Sequence, residues 1–226
     1  MHTRILQALG IALALAPAVA IAQQKPTAAT YITDEEVKKV NSLPGVDRQI
    51  RVVDIGNENF AVGIVHRGAT GAARGAGAGA AAGAAGRAGA GAGAGAGRGA
   101  AAAEPCGETG QVPEGSTGGG IAHDSQTEGY LIVSGGGTLV TGGKIMNGRK
   151  SPPENEVTTT LNGPSCSGAI VGSDVVKKVV KTGDIIIIPA GVPHGWTEIT
   201  DHVDYLSFRP SDHVLTAGYV NPAIKK

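Results

Sequence analysis

The chain has no excess of either charge. Lys and Arg number 19, Asp and Glu number 19, and the sequence pI is near 7. A nucleic-acid binder needs a basic face to meet phosphates, and that footprint is missing, so nucleic acid is not an expected partner. Aromatic residues are only 3% of the chain, with one Trp and two Phe. The scarcity is exaggerated by one biased segment, residues 68–103, where 32 of 36 positions are Gly or Ala. Signature motifs are absent too. There is no G-x-S-x-G, which would place a nucleophile on a sharp strand-to-helix turn. The Gly-rich tract lacks the Lys-Ser/Thr pair that grips phosphate and Mg²⁺, so it is no P-loop. No Ser-His-Asp set stands at a recognisable motif.

Long apolar runs are missing after residue 22, which excludes a helical membrane span there. The run before it, Ile5 to Ala20, follows Arg4 and ends at Ala20-Ile21-Ala22. A positive start, an apolar stretch and small residues at the cleavage positions make residues 1–22 an expected secretory signal peptide. The competing reading is an anchor, but the run is short against the roughly 20 apolar residues that span a bilayer. The mature chain is expected to start near Gln23 and to be periplasmic or secreted, with no stable membrane anchor. Cysteine is scarce: Cys106 and Cys166 are the two present. An even count in an exported protein permits one disulfide and equally leaves two free thiols open. A bridge closing a loop of this size would contribute about 4 kcal/mol by chain entropy.

What is present reads as strands and turns. Residues 23–67 hold a short helix and two strands. Thr33 and Glu36 form a T-x-x-E capping box, Val37, Val40 and Leu43 give one apolar stripe, and Pro44-Gly45 ends the helix. Such a helix suits the outside of a sheet. Strands are expected at Gln49–Ile55 and Phe60–His66, with Phe60, Val62, Ile64 and His66 on one face. His66 is expected near solvent at the strand end. Residues 68–103 have almost no side-chain area to bury and cannot offset their own backbone entropy, so a disordered insertion is expected. Silk-like stacking of Gly-Ala repeats, or an anion-binding arm built on the spaced arginines, are the rivals. Outside residues 1–22 and 68–103 about 168 residues remain, enough for one barrel core.

Residues 104–226 carry the rest of the barrel and its tail. Glu128–Ser134 and Thr138–Thr141 flank Gly135-Gly136-Gly137, which signals a hairpin. Gly142–Pro164 reads as charged, Pro-rich loop with a strand at Glu156–Leu161. Ala169–Gly172, Val175–Lys181, Asp184–Pro189 and His202–Arg209 complete a strand series spaced by Gly and Pro turns, the pattern of an all-β sandwich or barrel. On the last strand Tyr205, Ser207 and Arg209 share one face, and His202 and Asp204 the other.

Two stretches stand out. Gly115, His123, Glu128 and Gly135 keep the spacing G-x5-(x)-x-H-x4-E-x6-G, and Gly183, Pro189, Gly191 and His194 keep G-x5-P-x-G-x2-H. They resemble the two motifs of the cupin superfamily over roughly residues 105–210. The resemblance implies a double-stranded β-helix, the cupin jelly-roll barrel, with the short helix preceding it. It implies a divalent metal ion (Fe, Mn, Zn or similar) held by His123, Glu128 and His194. Two departures stand in the motifs: Ile121 replaces the family's first histidine and Glu198 its asparagine.

The residue chemistry agrees with that implication. Imidazole and carboxylate with open positions suit such ions. His123 and Glu128, five apart, would face opposite sides of one straight strand and converge only if Asp124–Thr127 bends. His194 follows a Pro/Gly turn and should sit at the barrel rim. The expected pocket wall comprises Ile121, Tyr130, Ile132, Trp196 and Glu198. The alternative is a vestigial site whose three side chains merely hydrogen-bond one another. Three functions stay open: a metal-dependent oxygenase, isomerase or lyase; a non-catalytic small-ligand binder with a degenerate metal site; and a surface protein acting through the Gly/Ala tract. The expected partner is a small-molecule ligand, with a homodimer left open.

Overall fold

The computed structural model describes residues 25–70 and 103–225. The expected leader, residues 1–22, and nearly all of the expected Gly/Ala insertion, residues 71–102, lie outside the described residues.

Helix α1 (Asp34–Asn41) starts as its sequence dictates. Thr33 Oγ1 accepts from the Glu36 amide at 3.3 Å, and the Glu36 carboxylate accepts from the Thr33 amide at 3.2 Å. Eight residues are too few for a stable isolated helix. Packing supplies the rest: Val37 and Val40 lie with Ile50, Ile64, Val62 and Leu206 in a cluster on the outer face of the sheet.

Among the described residues eleven strands form an antiparallel fold: β1 (Asp47–Asp54), β2 (Asn59–Gly68), β3 (Pro105–Cys106), β4 (Thr117–His123), β5 (Glu128–Thr141), β6 (Lys144–Lys150), β7 (Ser165–Val171), β8 (Val176–Lys181), β9 (Ile185–Ile188), β10 (His194–Thr197) and β11 (His202–Ser211). The order β1-β2-β11-β5-β10-β4-β7-β6-β3 is continuous, and β8 and β9 both pair with β5. This all-β, two-layer arrangement with one short helix near the N-terminal end fits the cupin-like jelly-roll barrel. Along β11 alternate residues are buried, including Val203, Tyr205, Ser207 and Arg209. With Val65, Tyr130, Ile132, Leu139 and Ile188, the first two of these fill the barrel core. His66 is exposed and pairs with Asp204 at 2.6 Å.

Three expectations are corrected. Gly135–Gly137 is no hairpin turn, because β5 runs unbroken through it. Its first half pairs with β9 and β11, its second with β8 and β10, so this one strand belongs to both layers. Gly135 has φ +65°, and a Cβ there would lie 2.0 Å from the His202 carbonyl oxygen. The glycines permit close approach and a bend between layers, not a reversal. The strand expected at Glu156–Leu161 is a single π-helical turn, Val157–Leu161. Its β-branched threonines suggested a strand, but Thr158 and Thr159 turn their hydroxyls back to the carbonyls of Pro152 and Asn155. The stretch expected as charged loop holds β6, whose Ile145 is buried while its Lys ends stay out.

Cys106 and Cys166 are bridged, with Cα atoms 6.0 Å apart, tying β3 to β7. Such bridges persist in oxidising, extracytoplasmic compartments. Among the described residues no helix is long and apolar enough to cross a membrane.

Candidate metal centre

Three strand ends bring the two motifs together. His123 closes β4, Glu128 opens β5 and His194 opens β10. The polar residues Asp124–Thr127 make the bend that the spacing required: Asp124 donates its amide to the Pro164 carbonyl at 2.9 Å, and Gln126 bridges to Ser211. The Pro189–Pro193 turn is pinned by the first motif itself, since the Gly191 amide donates to the His123 carbonyl at 2.7 Å. β10 then pairs on both sides, placing His194 opposite Ile121 and Thr141.

Glu128 Oε2 is the meeting point. His123 Nε2 lies 3.2 Å from it and His194 Nε2 3.1 Å. All three side chains are buried, and one ligand atom from each lies within 4.8 Å of the others. The imidazole rings sit 5.2 Å apart. His194 Nδ1 is 3.0 Å from the Val192 carbonyl, which can only accept. A neutral His194 therefore carries its proton on Nδ1 and aims the Nε2 lone pair at the carboxylate. An Nε2 lone pair facing an anionic oxygen is repelled unless a proton or a cation lies between them, so each imidazole either hydrogen-bonds Glu128 or shares an ion with it. The donor set fits a divalent ion. His123 Nδ1 is buried with no hydrogen-bond partner among the described residues.

The other carboxylate oxygen is clamped by Ser207 and Arg209, which share one face of the last strand in the sequence and prove to be buried. Ser207 Oγ and Arg209 Nε each donate to Glu128 Oε1 at 2.7 Å. Arg209 reaches on to Asp47 of β1, Nη2 to Oδ2 at 2.6 Å. Tyr130 Oη donates to Oε2 at 2.9 Å. Burial works to raise the Glu128 carboxyl. The Arg209 charge and the hydrogen bonds from His123 and His194 outweigh it and hold the group well below the usual carboxylate range. Burial and the neighbouring Glu128 charge push the Tyr130 phenol well above its ordinary value. For Arg209 burial again opposes the charge, but Asp47 and Glu128 keep the guanidinium protonated. An inward Arg on a strand was the available signal, because a buried guanidinium must have a partner.

The residues expected to line a pocket are placed as follows. Ile121 is half-buried on His123's side of β4, two residues before it. Tyr130 and Ile132 are buried in the barrel core. Trp196 packs at its edge, stacked on Tyr205 at 5.5 Å. Glu198 lies just past β10 with φ +50° and accepts from Thr138 Oγ1 at 2.9 Å. It lines a cavity of about 500 Å³ whose walls include none of the three ligands.

No family model matches the chain, and no curated protein matches it. Among solved structures it is similar to Peruvianin-I, a cysteine peptidase from Thevetia peruviana latex. The TM-score is 0.31 and the identity 12%, over 81% of this chain and 77% of that one. An oxalate oxidase gives a TM-score of 0.31 and 11% identity, over 85% of this chain and 60% of the other. Likenesses at these values carry no conclusion about activity.

Proposed function

We propose that this is an exported cupin-type protein holding a divalent ion (Fe, Mn, Zn or similar) on His123, Glu128 and His194. Its partner is a small-molecule ligand, and its chemistry that of a metal-dependent oxygenase, isomerase or lyase. The observation that carries the proposal is the convergence of two imidazole Nε2 atoms on one buried carboxylate oxygen, at 3.2 and 3.1 Å. Bound there, such an ion would supply Lewis acidity or oxygen activation, with positions left open toward a substrate. The chain's own groups prepare the site. The Val192 carbonyl orients His194. Arg209 and Ser207 hold Glu128 ionised and aim its second oxygen at the histidines. Tyr130 keeps its proton at Oη, 2.9 Å from that oxygen, as a donor beside the site. Ile121 keeps one side dry. The leader expected at residues 1–22 and the Cys106–Cys166 bridge are the features consistent with export.

A specific observation favours a second reading, a non-catalytic binder with a degenerate site. Glu128 is already met by Arg209, Ser207 and Tyr130, and Ile121 supplies no ligand. The array is not thereby neutralised, because Asp47 balances Arg209 and leaves a net negative charge for a cation.

Metal content after dialysis decides between them. The wild type should retain about one ion per chain, and His123→Ala or His194→Ala should empty the site, because two remaining ligands bind weakly. Ile121→His should tighten binding by adding a fourth ligand. Equal metal in wild type and His194→Ala, or none in any of the four proteins, would refute the metal reading.

A further inference from the structure

A second constellation lies on the outer face of the β5–β11 pair. His202 opens β11. Its Nε2 is 2.8 Å from Ser134 Oγ on β5, and its Nδ1 is 2.7 Å from Asp201 Oδ2. The register sets Asp204 opposite Ser134 and Val203 opposite Gly135, so Ser134 and His202 are diagonal neighbours across the ladder. A carboxylate only accepts, so a neutral His202 donates from Nδ1 and turns its Nε2 lone pair to the Ser134 hydroxyl. Nucleophile, base and orienting carboxylate follow one another in hydrogen-bond contact, the arrangement that activates a serine. On the far side His66 stacks on the His202 ring at 6.1 Å and is itself paired with Asp204.

The surroundings suit a substrate. His202 and Asp201 line the cavity of about 500 Å³, with Gly135–Gly137, Val179 and Val180 as an apolar wall and Glu198 at its side. Gly135, next in chain to Ser134, is required for the approach: a Cβ there would lie 3.1 Å from His202 Cδ2 as well as against its carbonyl. Ser134 is half-buried and Asp201 exposed, so the relay opens to solvent.

We propose that Ser134, His202 and Asp201 form a nucleophilic relay that hydrolyses small uncharged esters bound in the adjoining cavity. Ser134 Oγ bonds to the ester carbonyl carbon while its proton passes to His202 Nε2. The tetrahedral adduct collapses, the C–O bond to the alcohol breaks, and the alcohol leaves with the proton from Nε2. Water then attacks the acyl-serine by the same transfers, releasing the acid and restoring Ser134. Asp201 and Glu198 at the cavity disfavour anionic esters. The relay uses none of the metal ligands and is independent of the metal reading.

The test is labelling of the full mature chain, in a chelator, with an uncharged alkyl fluorophosphonate. Ser134 Oγ bonds to phosphorus, the P–F bond breaks and fluoride leaves. One label at Ser134 is expected, absent in Ser134→Ala and formed about 100-fold or more slowly in His202→Gln. As a second reading, Ser134→Cys creates a free thiol beside two bridged cysteines. Iodoacetamide should alkylate it faster than in the Ser134→Cys/His202→Gln double variant. No label at Ser134, or rates unaffected by His202→Gln in both assays, would overturn the proposal. Chelation ensures that neither outcome bears on the metal centre.

Discussion

Arg209 holds the candidate site together more than any ligand does. It is buried between Asp47 and Glu128 and spends its donors on both carboxylates and the Leu161 carbonyl. Glu128 consequently folds into a site that favours its ionised form. A carboxyl depressed in the folded state adds stability above its unfolded value of about 4.3, and that stability is lost as pH falls below it. The metal-free protein should therefore weaken on acidification below about pH 4. Glu128→Gln should show a shallower dependence over that window, whatever its overall stability. Urea midpoints measured across the acid range test this; parallel curves for the two proteins would show that Glu128 is not the group responsible.

At the scale of elements, β5 does the organising. It carries Glu128 and Tyr130 into the site, Ser134 to the outer face and the glycine triplet across the layers. Gly136 shows the constraint most directly, since a Cβ there would lie 2.4 Å from the Val180 carbonyl oxygen. Gly136→Ala should lower stability by about 1–3 kcal/mol through overpacking. Gly118→Ala, with nothing within 4 Å of the added carbon, should stay within about 0.5 kcal/mol of wild type. Denaturant midpoints at constant m-value provide the comparison.

The whole molecule is closed by long-range ties rather than by a large aromatic core. The bridge spans 60 residues of sequence. Replacing both cysteines by serine should cost about 4 kcal/mol by chain entropy, read as a lower unfolding midpoint under oxidising conditions. The chain is also pinned on either side of the Gly/Ala tract. Thr70 exchanges hydrogen bonds with Ile199, and the Lys150 amide donates to the Glu104 carbonyl. Closure entropy varies only with the logarithm of length, so replacing residues 71–102 by a short Gly/Ser linker should change stability by no more than about 1 kcal/mol. Metal content should be unchanged. A collapse of either would make the tract part of the barrel.

Read by itself, the sequence determined the all-β architecture, the capped helix and the three ligand candidates. Each is written in local spacing: a period of two in the strands, a capping box at Thr33 and Glu36, and fixed intervals around His123, Glu128 and His194. It left the cysteine pairing open, because Cα separation is not a property of spacing. The tertiary structure alone decided what lies between strands distant in sequence. Arg209 and Asp47 are 162 residues apart, Arg209 and Glu128 81, and Ser134 and His202 68. Those pairs depend on the register of β11 against β2 and β5. Register follows from which faces become buried once the layers close, and no short stretch of the chain encodes it.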